Sequence, residues 1–333
     1  MLKVLGIGNA LVDVMTSIES DALLAELNLP KGSMQLVNEI SMGNAISKTK
    51  KLKQILASGG SAANTINGLA NLGVETSFIG KVGNDEMGEF FKSDMIKNSI
   101  NPLLLKGKSS TGMALALISP DSERTFAVNL GAAIEMLPSD LKIEMFEGFH
   151  LFHIEGYLVQ NHQLIEKALL LAKQAGLKIS LDLASFNVVE ANIGFLEKAV
   201  VNYVDILFAN EDEAKAFTGK SPEESLNYLS KIVEIAIVKV GEKGSYIKKG
   251  DLIHKVGVTK ANCIDTTGAG DLYASGFLYG MLNDVPLDIC GEIGAILSGN
   301  VIEQIGPKMP EEVWVKLRQM VNDVINGKRF TCV

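Results

Sequence analysis

Cysteine is scarce in this chain, at three of 333 residues. Cys263, Cys290 and Cys332 stand far apart, with no Cys-x-x-Cys pair and an odd total. That argues against a disulfide framework or a zinc knuckle and fits a reducing compartment. Basic charge is also in short supply: Lys and Arg total 31 against 39 Asp and Glu, a net charge of −8. A nucleic-acid or anionic-membrane partner would need a basic stripe, so neither is expected. Long apolar runs are missing too, and none approaches the ~18 residues of a membrane-spanning helix. The opening Met1-Leu2-Lys3-Val4-Leu5-Gly6 enters a strand-like run without a signal-peptide plan. The expectation is a cytoplasmic protein whose partners are small molecules.

Apolar side chains, in contrast, are plentiful. At 47% hydrophobic residues the chain can bury a large core. Its length fits roughly two units of ~150 residues, or one large α/β unit with an addition. Short β-rich runs alternate with helical ones through the middle. Strands are expected at 149–154, 177–183, 204–209 and 235–240, and helices at 161–175 and 193–201. That rhythm predicts a parallel sheet with helices on both faces. The tail from Asp271 to Asn326 reads as helical almost throughout. Residues 111–130 break the pattern, with two β-like runs around the turn Ser119-Pro120-Asp121-Ser122, the signature of a hairpin. Strands at 12–18 and 33–37 would join it in a small lid that excludes water from a transfer reaction.

The 32 glycines fall in clusters. The sharpest is Asp265-Thr266-Thr267-Gly268-Ala269-Gly270-Asp271, followed at once by an apolar helix. A Gly-Ala-Gly turn opening a helix points backbone N–H groups forward at the positive end of the dipole, which suits a phosphate. Asp271 in the first helical turn then suits a base that takes a proton from an attacking hydroxyl. Gly59-Gly60-Ser61-Ala62-Ala63-Asn64 lets the backbone approach a polyhydroxylated ligand, and Asn64 offers it both donor and acceptor. Asp13, after Gly8-Asn9, can accept from two vicinal hydroxyls, or can be an exposed turn carboxylate. Asn210-x-x-Glu213 follows a strand at the edge where α/β sheets bind ligands; a solvated helix start is the alternative. Gly6-Ile7-Gly8 lacks the third glycine of a dinucleotide fingerprint. His150 and His153 suit packing better than metal ligation.

Three of these elements occur together and in order: the Gly-Gly…Asn segment, Asn-x-x-Glu and DTTGAGD. In this the sequence resembles the ribokinase-like (PfkB) carbohydrate and nucleoside kinases over almost its whole length. The resemblance implies an α/β fold with a mostly parallel central sheet flanked by helices and a small β-sheet lid. The core would take residues 1–12, 39–110 and 131–333, and the lid 13–38 and 111–130. It implies ATP and Mg²⁺ as cofactors, with a monovalent cation (K⁺) near Asp265 and Thr267 in some members. Asp271 would be the base, with Gly268, Ala269 and Gly270 supporting charge on the transferring phosphoryl group. Asn9, Asp13, Gly59, Gly60 and Asn64 would bind the acceptor. Asn210, Gly241, Gly244 and Thr267 would face the nucleotide, and Glu213 the hydrated metal.

Arg124 would reach the phosphates from the lid, a surface Arg being the equal alternative. Lys239 stands where many members carry a Thr beside the phosphates. Several stretches, among them Gly8–Asp13 and Arg124–Ala133, are similar to the adenosine-kinase-like members, which makes adenosine the expected acceptor and a sugar such as ribose, fructose or ketodeoxygluconate the runner-up. A catalytically silent member acting as a binding protein is the contrasting class, as is a monomer against a homodimer formed through the lid.

Overall fold

The computed structural model describes residues 2–121 and 123–332, so Ser122 of the hairpin turn lies outside the described residues. The chain opens with β1 (Lys3–Ile7) and β2 (Leu11–Ser17), then α1 (Ala22–Glu26), β3 (Met34–Leu36) and α2 (Glu39–Thr49). There follow β4 (Gln54–Gly59), α3 (Ser61–Asn71), β5 (Glu75–Val82), α4 (Glu86–Lys97) and β6 (Ile100–Lys106). The hairpin is β7 (Gly112–Ile118) and β8 (Arg124–Asn129). Alternation then sets in: β9 (Leu151–Glu155), α5 (His162–Gln174), β10 (Lys178–Asp182), α6 (Phe186–Tyr203), β11 (Ile206–Asn210) and α7 (Glu211–Thr218). The pattern ends with α8 (Pro222–Leu229), β12 (Ile235–Lys239), β13 (Ser245–Lys249), β14 (Leu252–Val256) and β15 (Val258–Thr259). Three helices close the chain, α9 (Ala269–Leu282), α10 (Leu287–Val301) and α11 (Glu311–Ile325), before the short β16 (Thr331–Cys332).

The large sheet runs β14-β13-β12-β11-β10-β9-β1-β5-β6, parallel from β12 to β6. Its central strands are buried on both faces, as helices on either side demand; β9 has no exposed residue. Alternate residues feed two cores: Val4 belongs to the one under α9, Leu5 to the one under α5 and α6. His153, on β9, is one of these core residues. It bonds Ser180 Oγ at 3.1 Å, and burial takes its imidazole down to about 4, so it is neutral packing. The helical tail is interrupted by turns at 283–286 and 302–310, and both turn regions carry a proline.

The second sheet runs β3-β8-β7-β2-β4. It contains the expected strands but also β4, from the range 39–110 assigned to the core by sequence. The reason is register: β4 pairs antiparallel with β2 from Leu11↔Gly59 to Thr16↔Gln54, and this brings Gly59 beside Asp13. Side chains alternate across this sheet. Val12, Val14, Leu115 and Leu117 enter the core, whereas the opposite face carries Asp13, Met15, Phe126 and Val128 in register.

Candidate active site

The Gly-Ala-Gly turn opens α9 as expected. Gly268 is the N-cap residue in the left-handed region (φ 78°), with no side-chain cap bond. Ala269 N–H turns back to Thr266 O at 3.1 Å. The next N–H groups, of Gly270 and Asp271, have no helical carbonyl behind them and face forward. Asp271 follows in the first turn, half-buried, gripped from α3: Ser61 Oγ donates to Oδ1 at 2.7 Å and Asn64 Nδ2 to Oδ2 at 2.9 Å. Burial pushes its carboxyl up to about 6, against the lowering effect of those two bonds. A carboxylate with that affinity for a proton is suited to accept one near neutral pH.

On the acceptor side, Gly59 and Gly60 have separate reasons to be glycine. A Cβ on Gly59 would lie 2.3 Å from the Asp13 carboxylate, so the glycine makes room for that group. Gly60 has φ 99°, and its Cβ would fall 2.2 Å from Asn9 O. Burial raises Asp13 to about 7, Lys308 opposing the rise. Asn9 is held from an unforeseen residue, Glu155 at the end of β9. Glu155 Oε1 accepts from Asn9 N (2.9 Å) and Nδ2 (2.7 Å), while Oε2 accepts from Ala62 N (2.9 Å). One buried carboxylate thus ties the Gly8-Asn9 loop to the start of α3. Burial outweighs its three bonds and raises it to about 7.

At the other end lie Asp182, Asn210, Glu213 and Lys239. Asn210 and Glu213 form a reciprocal cap at the start of α7: Asn210 Oδ1 accepts from Glu213 N at 2.8 Å, and Glu213 accepts from Asn210 N and Nδ2, each at 2.7 Å. Both Glu213 oxygens are therefore engaged, and burial, then Asp182, raises this carboxyl. Among the described residues no three His, Cys, Asp or Glu side chains are arranged to hold a metal ion. Oxygen donors of this kind would suit a Mg²⁺ that keeps its waters, which Glu213 and Asn210 would hold only through its hydration shell, and the ion would supply positive charge beside the phosphates. Lys239 Nζ donates to Asp182 Oδ2 at 2.9 Å and stands 3.1 Å from where a Cβ on Gly270 would be. The lysine in the threonine's place thus puts an ammonium at the anion turn. Gly241 and Gly244 lie in the turn between β12 and β13.

Arg124 does reach the anion turn from β8, where its guanidinium pairs with Asp265 Oδ1 at 2.5 Å. Asp265 also accepts from Thr267 N at 2.9 Å and Gly306 N at 2.6 Å. Oδ1 thus takes the guanidinium and the Thr267 N–H, and Oδ2 the Gly306 N–H, so Asp265 ties the lid strand, the glycine turn and the 306–308 turn together. The structure thus gathers Asn9, Asp13, Gly59, Gly60, Asn64, Gly270 and Asp271 around one cleft. Sequence reasoning missed Glu155, Asp182, Ser61 and Lys308; of these only Ser61 lay inside a recognised motif.

A glycine turn opening a helix, a buried carboxylate one residue on and an ammonium beside the turn are suited to phosphoryl transfer. The chain belongs to the pfkB family of carbohydrate kinases, whose model matches residues 43–313. Kinases of this family use ATP, typically with Mg²⁺, to phosphorylate sugars or nucleosides. Among solved structures it is similar to the adenosine kinase of Sinorhizobium meliloti: 32% identity, TM-score 0.85, covering 96% of this chain and 99% of that one. A probable sugar kinase of Rhizobium etli CFN 42 is 31% identical with TM-score 0.85, over 96% and 98% of the two chains. The 5-dehydro-2-deoxygluconokinase of Geobacillus kaustophilus is 27% identical over 81% of this chain and 86% of its own. Among the described residues no helix is long and apolar enough to cross a membrane.

Proposed function

We propose that the chain transfers the γ-phosphoryl group of ATP to the primary hydroxyl of adenosine. The carrying observation is Asp271: a carboxylate raised to about 6, aimed by Ser61 and Asn64, one residue after the Gly270 N–H and next to Lys239 Nζ. The acceptor hydroxyl gives its proton to Asp271 as its oxygen bonds to phosphorus, and ADP departs with the electrons of the broken O–P bond. The N–H groups of the turn and the Lys239 ammonium stabilise the equatorial oxygens. Mg²⁺, when bound, neutralises charge on the same phosphates. Asp13 takes the ribose diol, with Asn9 and Asn64 beside it, and the second sheet acts as the lid.

Adenosine is favoured by the 32% identity to an adenosine kinase and by the lid face that carries Asp13. There Met34 and Leu36 register with Phe126 and Val128, and both are exposed, at 59% and 67%, ready to meet a flat base. Met113, Leu115 and Gln35 alternate onto the other face, where Met113 and Leu115 pack with the core. A free sugar is the second reading, supported by the names of the sugar-kinase relatives. The intact base and turn oppose a silent binding protein.

Initial rates with adenosine, inosine, ribose, fructose and ketodeoxygluconate test this. Adenosine should give the highest kcat/KM, and an equal or better sugar overturns the nucleoside reading while leaving the kinase. Asp271→Asn should lower kcat by roughly 10²–10⁴ with acceptor binding retained. A variant that keeps more than about a third of the rate removes Asp271 as the base.

A further inference from the structure

Lys308 belongs to no motif and has no role in the reaction as derived above. It lies in the turn between α10 and α11. A Cβ on Gly306 would lie 2.7 Å from Met15 Sδ, and one on Gly268 would lie 2.6 Å from Pro307 Cβ. The turn thus touches both the lid strand that carries Asp13 and the anion turn. Lys308 Nζ is sealed from solvent and, among the described residues, makes no hydrogen bond. A buried ammonium left so is costly unless something completes it.

The charges that act on Lys308 identify its side of the cleft. They are Asp94, Asp13 and Asp271, in falling order, with none of the nucleotide-end groups among them. Two of the three are already engaged. Asp94 accepts from Ser58 N (2.9 Å) and Oγ (2.7 Å), and Asp271 is held by Ser61 and Asn64. Among the described residues Asp13 has no hydrogen-bonded partner. An acceptor carboxylate and a donor ammonium therefore face the same space without pairing. Among the described residues Asn64 Oδ1 is likewise buried without a partner.

We propose that Lys308 is the second half of the acceptor clamp, donating to the same substrate hydroxyl whose hydrogen goes to Asp13. This rests on the reading of the acceptor as a diol given above. A hydroxyl carries one donor and two lone pairs, so one such group completes both side chains, and a second can donate to Asn64 Oδ1. An aliphatic ligand, or a sugar that lacks this particular hydroxyl, cannot do this. Lys308 is thereby a specificity-determining residue for vicinal hydroxyls, distinct from Lys239, which faces phosphate.

The test is steady-state kinetics of full-length Lys308→Met, with acceptor and ATP varied separately. Acceptor KM should rise by about tenfold or more, the loss of a charged hydrogen bond, with ATP KM and kcat little changed. Lys308→Arg should recover part of the loss. With the analogue lacking the clamped hydroxyl, whichever of 2′- and 3′-deoxyadenosine the wild type handles worse, wild type and Lys308→Met should converge. A rise in ATP KM alone, no change in either KM, or the same penalty with the deoxy analogue overturns the proposal. If the wild type prefers a free sugar, the comparison is run with that sugar and its deoxy analogue, so a wrong acceptor identity leaves the Lys308 test standing. A wild type that neither binds nor phosphorylates any diol acceptor overturns both readings.

Discussion

The two ends of the cleft each hold a buried lysine, and the two are in opposite states. Lys239 is paired with Asp182 and also feels Glu213. Burial alone would lower its pKa, but these carboxylates outweigh it and the pKa is raised. Lys308 has no such pairing, and burial takes it down to about 8. The phosphate end is complete before anything binds, whereas the acceptor end is left with open valences. A preorganised cation serves a ligand that is the same in every turnover. An uncompensated one makes binding depend on whether the acceptor brings the right oxygens.

The sharpest break in this comparison is in stability. Lys239→Met leaves Asp182 and Glu213 buried without their cation, and breaking such a pair costs up to about 3–5 kcal/mol. Lys308→Met strands no ion-paired partner and removes a desolvated charge. Its unfolding midpoint in urea, without ligand, should equal or exceed that of the wild type. If the two variants lose similar stability, the asymmetry between the two ends is not real.

A smaller effect comes from the carboxyls. Asp13, Glu155 and Asp271 ordinarily titrate near 3.8, 4.5 and 3.8 but are raised to about 7, 7 and 6 in the folded chain. Between these limits the folded state holds protons that the unfolded state has released. Their contribution to stability is therefore present at the acid side of the window and lost as pH rises towards 7. Urea midpoints should fall between pH 5 and 7.5 at a slope that Glu155→Gln makes shallower; a midpoint that climbs with pH contradicts the assignment.

The mildest contrast separates the lid's two faces. Leu36→Ala should raise KM for adenosine several-fold and leave ribose unaffected, since one apolar contact is worth about 1–3 kcal/mol. Met113→Leu, on the core side, should change neither. Equal responses of the two substrates to Leu36→Ala would show that no base rests on this face.

Motifs were legible where chemistry is local. The DTTGAGD turn, the Gly-Gly segment and Asn210-x-x-Glu213 each lie within one loop and its helix. What escaped was decided by distant pairing. Nothing around Glu155, at the end of a buried strand, signals that it accepts from Asn9, 146 residues away. The Gly-Pro-Lys turn that carries Lys308 reads as an ordinary break between helices. Period-2 alternation in the lid was visible, but which of its faces carries Asp13 and which Met113 depends on the β2–β7 register. Asn210 and Glu213 were found together, yet their reciprocal cap shows that the spacing also serves the helix itself.

The grip of Ser61 on Asp271 joins residues 210 positions apart, and Pro307 seals the same turn. Such long loops are slow to close. During synthesis Asp271 emerges 210 residues after Ser61 and 207 after Asn64, and the contacts of Asp265 with Gly306 and of Gly268 with Pro307 come later still. The glycine turn is therefore the last part of the site that the growing chain can close.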